Sequence, residues 1–414
     1  MKRIYSNLKN REAVTVYYIG TFIGDFSMAL TFSIYAIFLY KSGLNLLQVN
    51  LVNFTYMISV FLLEVPTGAF ADALGRRRSM LLGAFFTFLG LALYPIYRSF
   101  AVFIIAEFIL ALSSTFISGA WDAWMIDTSK NQGFVGKVDY VFSQANVISK
   151  IAMVFGGLIG AYIASIYIGL PFYAGGIIAF LGFIFLLIYM EEKNQKIDFS
   201  IKKNIIKMKN IALESAKYSF SHKVIFWLIM GGIVSTLVYQ PLNMFWNIRF
   251  NNMLGGDKLY LVGWLWAAMS VFMILGAYLV KHFLKRGKDY TFLMILVSLG
   301  IFCPILISSF NKIFLFAFPP FLIYQLVRGI ERPVKQAFLN KYADSEKRAT
   351  IISFESMISC LGAAGGLVFF GWIAKNSSIE TSWIMAAILA LLLIPIYLMA
   401  RKKESQYAIS SLSK

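Results

Sequence analysis

The sequence predicts an all-α membrane protein: twelve transmembrane helices in two pseudo-symmetric six-helix bundles. Three observations predict it. First, 59% of the 414 residues are hydrophobic and only 14% are charged, against about 25% charged in an ordinary soluble domain. No single aqueous core can hide so much apolar surface, so lipid must be the solvent for most of the chain. Second, the apolar residues fall into runs long enough to cross a bilayer, which takes about 20 residues. Third, lysine and arginine gather in alternate gaps between those runs.

Taken in order, the spans are 13–40, 46–71, 79–97, 100–126, 139–166, 169–190, 223–247, 259–283, 290–309, 312–331, 349–374 and 381–400. The run that follows the basic segment Met1–Arg11 is long and lacks a small-residue cleavage site, so it reads as a first spanning helix and not a removed leader. The gaps are short except from Glu191 to His222, which holds seven lysines and four acids. That segment divides the chain into a first bundle (1–190), a basic cytoplasmic central loop (191–222) and a second bundle (223–414). With the N-terminus inside and the sides alternating, inner segments and inner span ends hold 31 of the 38 basic residues, and Lys150 lies within a span. The outer loops hold six: Lys41, Arg98, Arg249, Lys258, Lys312 and Lys375. An excess of basic residues marks the cytoplasmic side. Both termini are therefore expected in the cytoplasm, with the chain crossing the cell's inner (plasma) membrane many times.

Other classes are disfavoured. The net charge of +18 is spread between apolar runs, so no nucleic-acid partner is expected. Cys303 and Cys360 sit in apolar runs, and His222 and His282 in basic segments. Neither pair has the spacing of a metal site or a disulfide framework. No phosphate-binding P-loop is present, so ATP is not hydrolysed by that route. No cofactor and no catalytic residue is expected, and the chain is not read as an enzyme.

A weak internal repeat supports duplicated halves. Ser143-Gln-Ala-Asn-Val-Ile-Ser149 leads to Gly156-Gly157 in the fifth span, and Ser353-Phe-Glu-Ser-Met-Ile-Ser359 leads to Gly365-Gly366 in the eleventh. Repeats six helices apart are typical of secondary transporters, whose site lies where the repeats meet.

Ionisable groups inside a bilayer cost roughly 2.5–3.5 kcal/mol each on insertion scales and are functional candidates by default. Asp25 lies twelve residues into the first span, about 18 Å at 1.5 Å per residue and so near mid-membrane. Lys150 lies at a similar depth in the fifth span, where the two could pair. Glu107 lies seven residues into the fourth span from the outer side. These three are the candidate proton-coupling residues. Polar stripes in lipid must face protein or water. Glu107, Ser114 and Ser118 share one such face, Ser143, Asn146 and Lys150 another, and Asn53, Met57, Val60 and Glu64 a third. In the second half, Thr236, Gln240, Asn243 and Asn247 form a stripe flanked by Tyr239 and Trp246, and the tenth span adds Tyr324, Gln325 and Arg328. The candidate substrate cavity is therefore Asn53, Ser114, Ser118, Asn146, Tyr239, Gln240, Asn243, Tyr324, Gln325 and Arg328. The expected division is ionisable groups in the first half, aromatic and amide contacts in the second. Trp264 and Trp266 read as interfacial anchors. Glu355 reads as a latch at the cytoplasmic end of the eleventh span.

After the second span the chain reads Gly68-Ala-Phe-Ala-Asp72-Ala-Leu-Gly75-Arg76-Arg77-Arg78. This resembles the loop 2–3 signature of the major facilitator superfamily (MFS), although Ala73 stands where the family usually has a basic residue. The resemblance implies the two-bundle fold. It also implies a gate in which Gly68 and Gly75 ease the turn and Asp72, Arg76 and Asp127 form a latch, with Arg77 beside them. Ala152, Gly156-Gly157 and Gly160-Ala161 resemble the family's antiporter motif without its proline; small residues at this spacing also serve ordinary helix contact.

The expected function is secondary active transport by alternating access, as a monomer in the lipid bilayer. The leaning is to proton-coupled export of an amphipathic or cationic small molecule, as in bacterial drug–proton antiporters. One alternative is uptake of a small polar or anionic solute held by Lys150 and Arg328. Another is a membrane-embedded enzyme or sensor built on a transporter fold.

Overall fold

The computed structural model describes residues 13–134, 136–192, 217–285, 289–343 and 348–412. The segment Met1–Arg11 and most of the lysine-rich central loop lie outside the described residues. Among those described there is no strand. Helices α1 (Ala13–Phe32) and α2 (Tyr35–Lys41) together make the first span. The next six are α3 (Leu46–Leu74), α4 (Arg76–Ile96), α5 (Phe100–Asn131), α6 (Val138–Ile166), α7 (Leu170–Tyr189) and α8 (Lys223–Met253). Then follow α9 (Leu259–Lys285), α10 (Tyr290–Phe310), α11 (Phe314–Tyr342) and α12 (Arg348–Asn376), with α13 (Ile379–Ala390) and α14 (Leu393–Leu412) making the last span. Eleven runs among the described residues are long and apolar enough to cross a membrane, Ile379–Glu404 counting as one. The twelfth is α11, which carries Arg328, Glu331, Arg332 and Lys335 together with three prolines.

Two spans expected to be continuous are broken, each for a local reason. The first turns at Ser33 and Ile34. There the Thr31 hydroxyl donates to the Met28 carbonyl at 2.8 Å, and the Ser33 hydroxyl to the Gly157 carbonyl at 2.7 Å. Side chains that serve backbone carbonyls in this way bend helices. The last span breaks at Leu391–Leu392. Pro395 follows four residues after Leu391; its ring cannot donate to that carbonyl and crowds it. Among the spans that run on further than expected, α8 continues to Met253 and α11 to Tyr342. Both extensions carry charged residues that a loop assignment had set aside.

Four helix starts follow ordinary capping chemistry. Asn45 and Gln48 cap each other reciprocally at 3.0 Å ahead of α3. Ser99, Asp289 and Ser378 accept from the first turns of α5, α10 and α13.

By packing, the chain divides into two units. The first comprises Met1–Phe38, Thr55–Lys207 and Leu259–Trp266; the second comprises Leu39–Phe54, Met208–Lys258 and Ala267–Lys414. In the first, α6 lies backbone to backbone on α1. A Cβ at Gly160 would stand 1.8 Å from the Leu30 carbonyl oxygen, and one at Gly156 would stand 2.6 Å from the Ala29 methyl. In the second, α12 lies on α8 through the same device, with Gly362 and Gly366 against the carbonyls of Ile233 and Leu237. One glycine of each repeated pair, Gly156 in span five and Gly366 in span eleven, therefore lies in the equivalent close contact of its unit.

Gly160→Leu should destabilise the purified protein by about 1–3 kcal/mol or more, because the added side chain collides with backbone. Gly365→Ala should be near neutral, since nothing lies within 4 Å of a Cβ there. Thermal unfolding in detergent, compared between the two variants, checks this.

Candidate functional site

The first unit contains a cavity of about 550 Å³. Its polar wall comes from α1, α3, α5 and α6: Thr21 and Asp25, Tyr56, Ser114, Ser118 and Asp122, and Asn146 and Ser149. Aromatic surface comes from Tyr17, Trp121 and Phe142. Among the described residues, two carboxylates face this space and no lysine, arginine or histidine lines it. The Tyr17 hydroxyl donates to Asp122 Oδ1 at 2.6 Å, and Trp121 Nε1 donates to Thr21 Oγ1 at 3.0 Å. Tyr17 packs on Trp121 at 5.1 Å, and Trp121 stacks on Trp124 at 5.3 Å. These contacts set both the anionic wall and the aromatic wall in place. Aromatic faces beside carboxylates are suited to an organic cation, which gains from ring quadrupoles and from charge.

Asp25, Ser114, Ser118 and Asn146 therefore line one cavity. Tyr56 and Asp122 join them; neither was among the candidates, although both follow the polar faces of their spans. Three expectations are corrected. Asp25 and Lys150 do not close an ion pair. The carboxyl of Asp25 has Ser149 as its hydrogen-bond neighbour, with the lysine acting only through its field, and Lys150 is exposed and off the cavity wall. Glu107 does not face the cavity. It is 4% exposed and takes hydrogen bonds from Tyr35, at 2.6 Å, and from Tyr94. The aromatic rings of Phe38, Phe103 and Phe172 pack around Tyr94. A carboxyl so deep would be expensive without donors, and the two phenols supply them. Asn53 is not on the cavity wall either and belongs to the second unit.

In the second unit, Arg328 donates to Asn243 Oδ1 at 2.5 Å and lies 4.9 Å over the Tyr239 ring. Tyr239, Tyr324, Gln240 and Gln325 are buried around the same helices; Gln240 donates to the Thr236 carbonyl of its own helix at 3.3 Å. The expected division of chemistry between the halves is wrong here. Glu331 is 4% exposed and accepts from the Tyr239 hydroxyl. Lys335 pairs with Glu355 at 2.7 Å, both largely buried, and Ser359 donates to the same carboxylate at 2.9 Å. Arg249, counted as an outer-loop residue, is 3% exposed inside α8. It is held by Glu380 at 3.1 Å and by the carbonyls of Ser308, Ser309 and Asn311, and it packs over Trp383. Ending the tenth span at Glu331 hid Lys335. The recurrence of Arg328, Glu331 and Lys335 at helical spacing was the signal available.

The loop between α3 and α4 is also rearranged from expectation. Arg76 pairs with Asp127 and donates to the Ala123 carbonyl at 2.6 Å. Arg77 donates to the carbonyls of Met190 and Leu187. Asp72 is exposed and takes no part in this latch. The start of α4 is held instead by Glu192, whose carboxylate accepts from the backbone N–H groups of Arg76 and Arg77 at 2.8 and 3.0 Å. Gly75, at φ +100°, offers no capping side chain, and a Cβ there would stand 2.6 Å from Glu192 Oε2. A carboxylate at a helix N-terminus satisfies orphan donors and the dipole together. Gly68 needs no special freedom, since a Cβ there meets nothing within 4 Å.

Long apolar helices, twin glycine contacts and a charged cavity within a bundle define a polytopic membrane carrier. The chain belongs to the Major Facilitator Superfamily, whose family model matches residues 17–354. It is 24% identical over 387 residues to the uncharacterized MFS-type transporter YxaM of Bacillus subtilis (strain 168), covering 93% of this chain and 94% of that one. Among solved structures, the nucleoside transporter NupG superposes with a TM-score of 0.79 at 12% identity, over 95% of this chain and 100% of that one. A bacterial homologue of the human lysosomal transporter Spinster superposes with a TM-score of 0.71 at 12% identity, over 94% of this chain and 96% of that one. At such identities the structural likeness is one of fold.

Glu192→Ala should cost about 1–2 kcal/mol through two uncapped N–H groups and speed amide exchange in the first turn of α4. Asp72→Asn should change neither. Hydrogen exchange of the two variants against the wild type checks this.

Proposed function

We propose that this carrier exports amphipathic organic cations by alternating access, in exchange for protons, as a monomer in the inner membrane with both termini cytoplasmic. The observation that carries the reading is the cavity of the first unit. Among the described residues its wall has two carboxylates, Asp25 and Asp122, aromatic faces, and no basic side chain. A cation placed there meets opposite charge on the wall itself, with Lys150 the nearby cation acting from off the wall. Asp25 is the first choice for the proton site. It stands beside Ser149 and within the field of Lys150 without being locked to either, so a proton or a cationic substrate can neutralise it in turn. Asp122 is held to Tyr17 and positions the substrate. The segments 1–190 and 223–414 are the two halves whose alternation opens the path to each side, with 191–222 joining them.

Uptake of a small anion remains a second reading because of Arg328. This half-buried guanidinium has an amide and a ring for neighbours, and no ion pair to it is found among the described residues. In proteoliposomes with an imposed proton gradient, a lipophilic phosphonium cation should move against its own gradient, and Asp25→Asn should cut that flux at least tenfold. Asp122→Asn should weaken binding of the same cation at neutral pH. Gradient-driven flux of the cation that survives Asp25→Asn removes Asp25 from the role. Gradient-driven flux of a small organic anion with none of the cation would instead favour the second reading.

A further inference from the structure

The second unit holds a buried ionisable cluster that cation recognition in the first unit does not use. Glu331 lies on α11 between two cations of its own helix, Arg328 one turn before and Lys335 one turn after. Both are committed elsewhere. Arg328 serves Asn243 and the face of Tyr239, and Lys335 serves Glu355 at 2.7 Å. Glu331 is left with the Tyr239 hydroxyl as its donor. Ser235 on α8 brings a further hydroxyl within hydrogen-bonding reach of the carboxyl, and the Tyr397 hydroxyl on α14 lies within its field and within reach of Ser235.

The space for this cluster is made by glycines. A Cβ at Gly232 would stand 2.5 Å from Glu355 Oε1, 2.8 Å from Ser359 Oγ and 3.2 Å from Lys335 Nζ, and one at Gly231 would stand 2.9 Å from the Tyr397 hydroxyl. Two consecutive side-chain-free positions on α8 thus admit the ammonium, its carboxylate and the hydroxyls together.

We propose that Glu331 is a proton-binding carboxyl of the second unit and that Lys335 is a counter-charge it shares with Glu355. A buried carboxylate without an ion partner is costly, whereas a protonated one needs only hydrogen bonds. With its proton bound, Glu331 is neutral and Lys335 stays on Glu355, the arrangement seen here. When the proton leaves to water, the new carboxylate keeps the Tyr239 hydrogen bond and draws Lys335, one turn away on the same helix. Glu355 then retains Ser359 as its donor. No covalent bond other than O–H forms or breaks. Tyr239 also ties the switch to Arg328, since its ring lies under that guanidinium and its hydroxyl reaches Glu331. This inference deepens the proton-coupled reading by adding a second proton site, and it can be tested without transport.

The test is infrared difference spectroscopy of the full chain in lipid nanodiscs during pH titration, reading the C=O band of protonated carboxylic acids. Glu331→Gln should remove one titrating band that Glu107→Gln leaves in place. Glu355→Gln removes a negative neighbour and frees Lys335, so the midpoint of that band should move to lower pH. Lys335→Gln and Tyr239→Phe remove stabilisers of the charged form, so each should move it to higher pH. Should Glu331→Gln fold poorly, Glu331→Asp keeps the band with a displaced midpoint. A spectrum that loses no band in Glu331→Gln, or a midpoint that stays put in Glu355→Gln, overturns the proposal. Loss of cation transport in Asp25→Asn with the Glu331 band intact would leave it standing.

Discussion

The structure depends on one constraint: inside hydrocarbon, no charge or backbone polar group can be left without a partner. Each unsatisfied group there costs several kcal/mol, which is large beside the net stability of any folded chain. Most of the described buried charges obey it, Glu331 and Glu107 doing so through hydroxyls without an ion partner. Arg249 is surrounded by a carboxylate, three carbonyls and an indole face. Glu107 has two phenols, and Lys335 has Glu355. At the membrane boundary the same rule governs helix ends, so Glu192 reaches across to the bare N-terminus of α4 where glycine supplies no cap. Partnering therefore decides where charged residues stand more than burial does.

That constraint also explains why two units with one scaffold differ in chemistry. The close contact between α1 and α6 recurs between α8 and α12, glycine against backbone in both. Such a contact needs only small residues at the right spacing and leaves the remaining helix faces free. In the first unit those faces carry Asp25 and Asp122 to the wall of a cavity. In the second they carry Glu331, Lys335 and Glu355 into a packed cluster. A shared backbone geometry thus tolerates opposite solutions, one open and one sealed.

The helix count and order were legible because they rest on run length alone. The cavity face of α5 was legible in Ser114 and Ser118 because helical periodicity fixes which residues align. Depth along a helix, by contrast, does not tell which way a side chain leans. Asp25 and Lys150 lie at like depth on neighbouring helices, yet one faces the cavity and the other does not. Glu107 shares the stripe of Ser114 but lies seven residues earlier, where Tyr35 and Tyr94 close over it. The break at Ser33 places Tyr35 to do so, and no periodicity announces that break. The charged extension of α11 was lost to an apolarity criterion that stops at Glu331, since a helix continues as long as its backbone bonds do. The Glu192 cap joins positions 116 residues apart, a tertiary pairing beyond any local pattern.

The two kinds of carboxyl suit different tasks. A carboxylate on a water-accessible wall keeps its charge at little cost and so can attract a cation, but the same water screens it. A carboxyl sealed among phenols and hydroxyls pays heavily for charge, so any event that moves a nearby cation changes its proton occupancy strongly. Recognition needs the first property and coupling gains from the second. On our reading Asp122 on the open wall serves recognition, Asp25 beside it meets both the cation and a proton, and Glu331 in the sealed cluster adds a second proton site. Lys335 is what makes the sealed group switchable: it lies within one helical turn of Glu331 but is paired to Glu355 on another helix. A change in how α11 meets α12 would alter that pairing, and the free energy of the proton at Glu331 with it. Conformation and protonation are linked in this way by a single ammonium group with two carboxylates in reach.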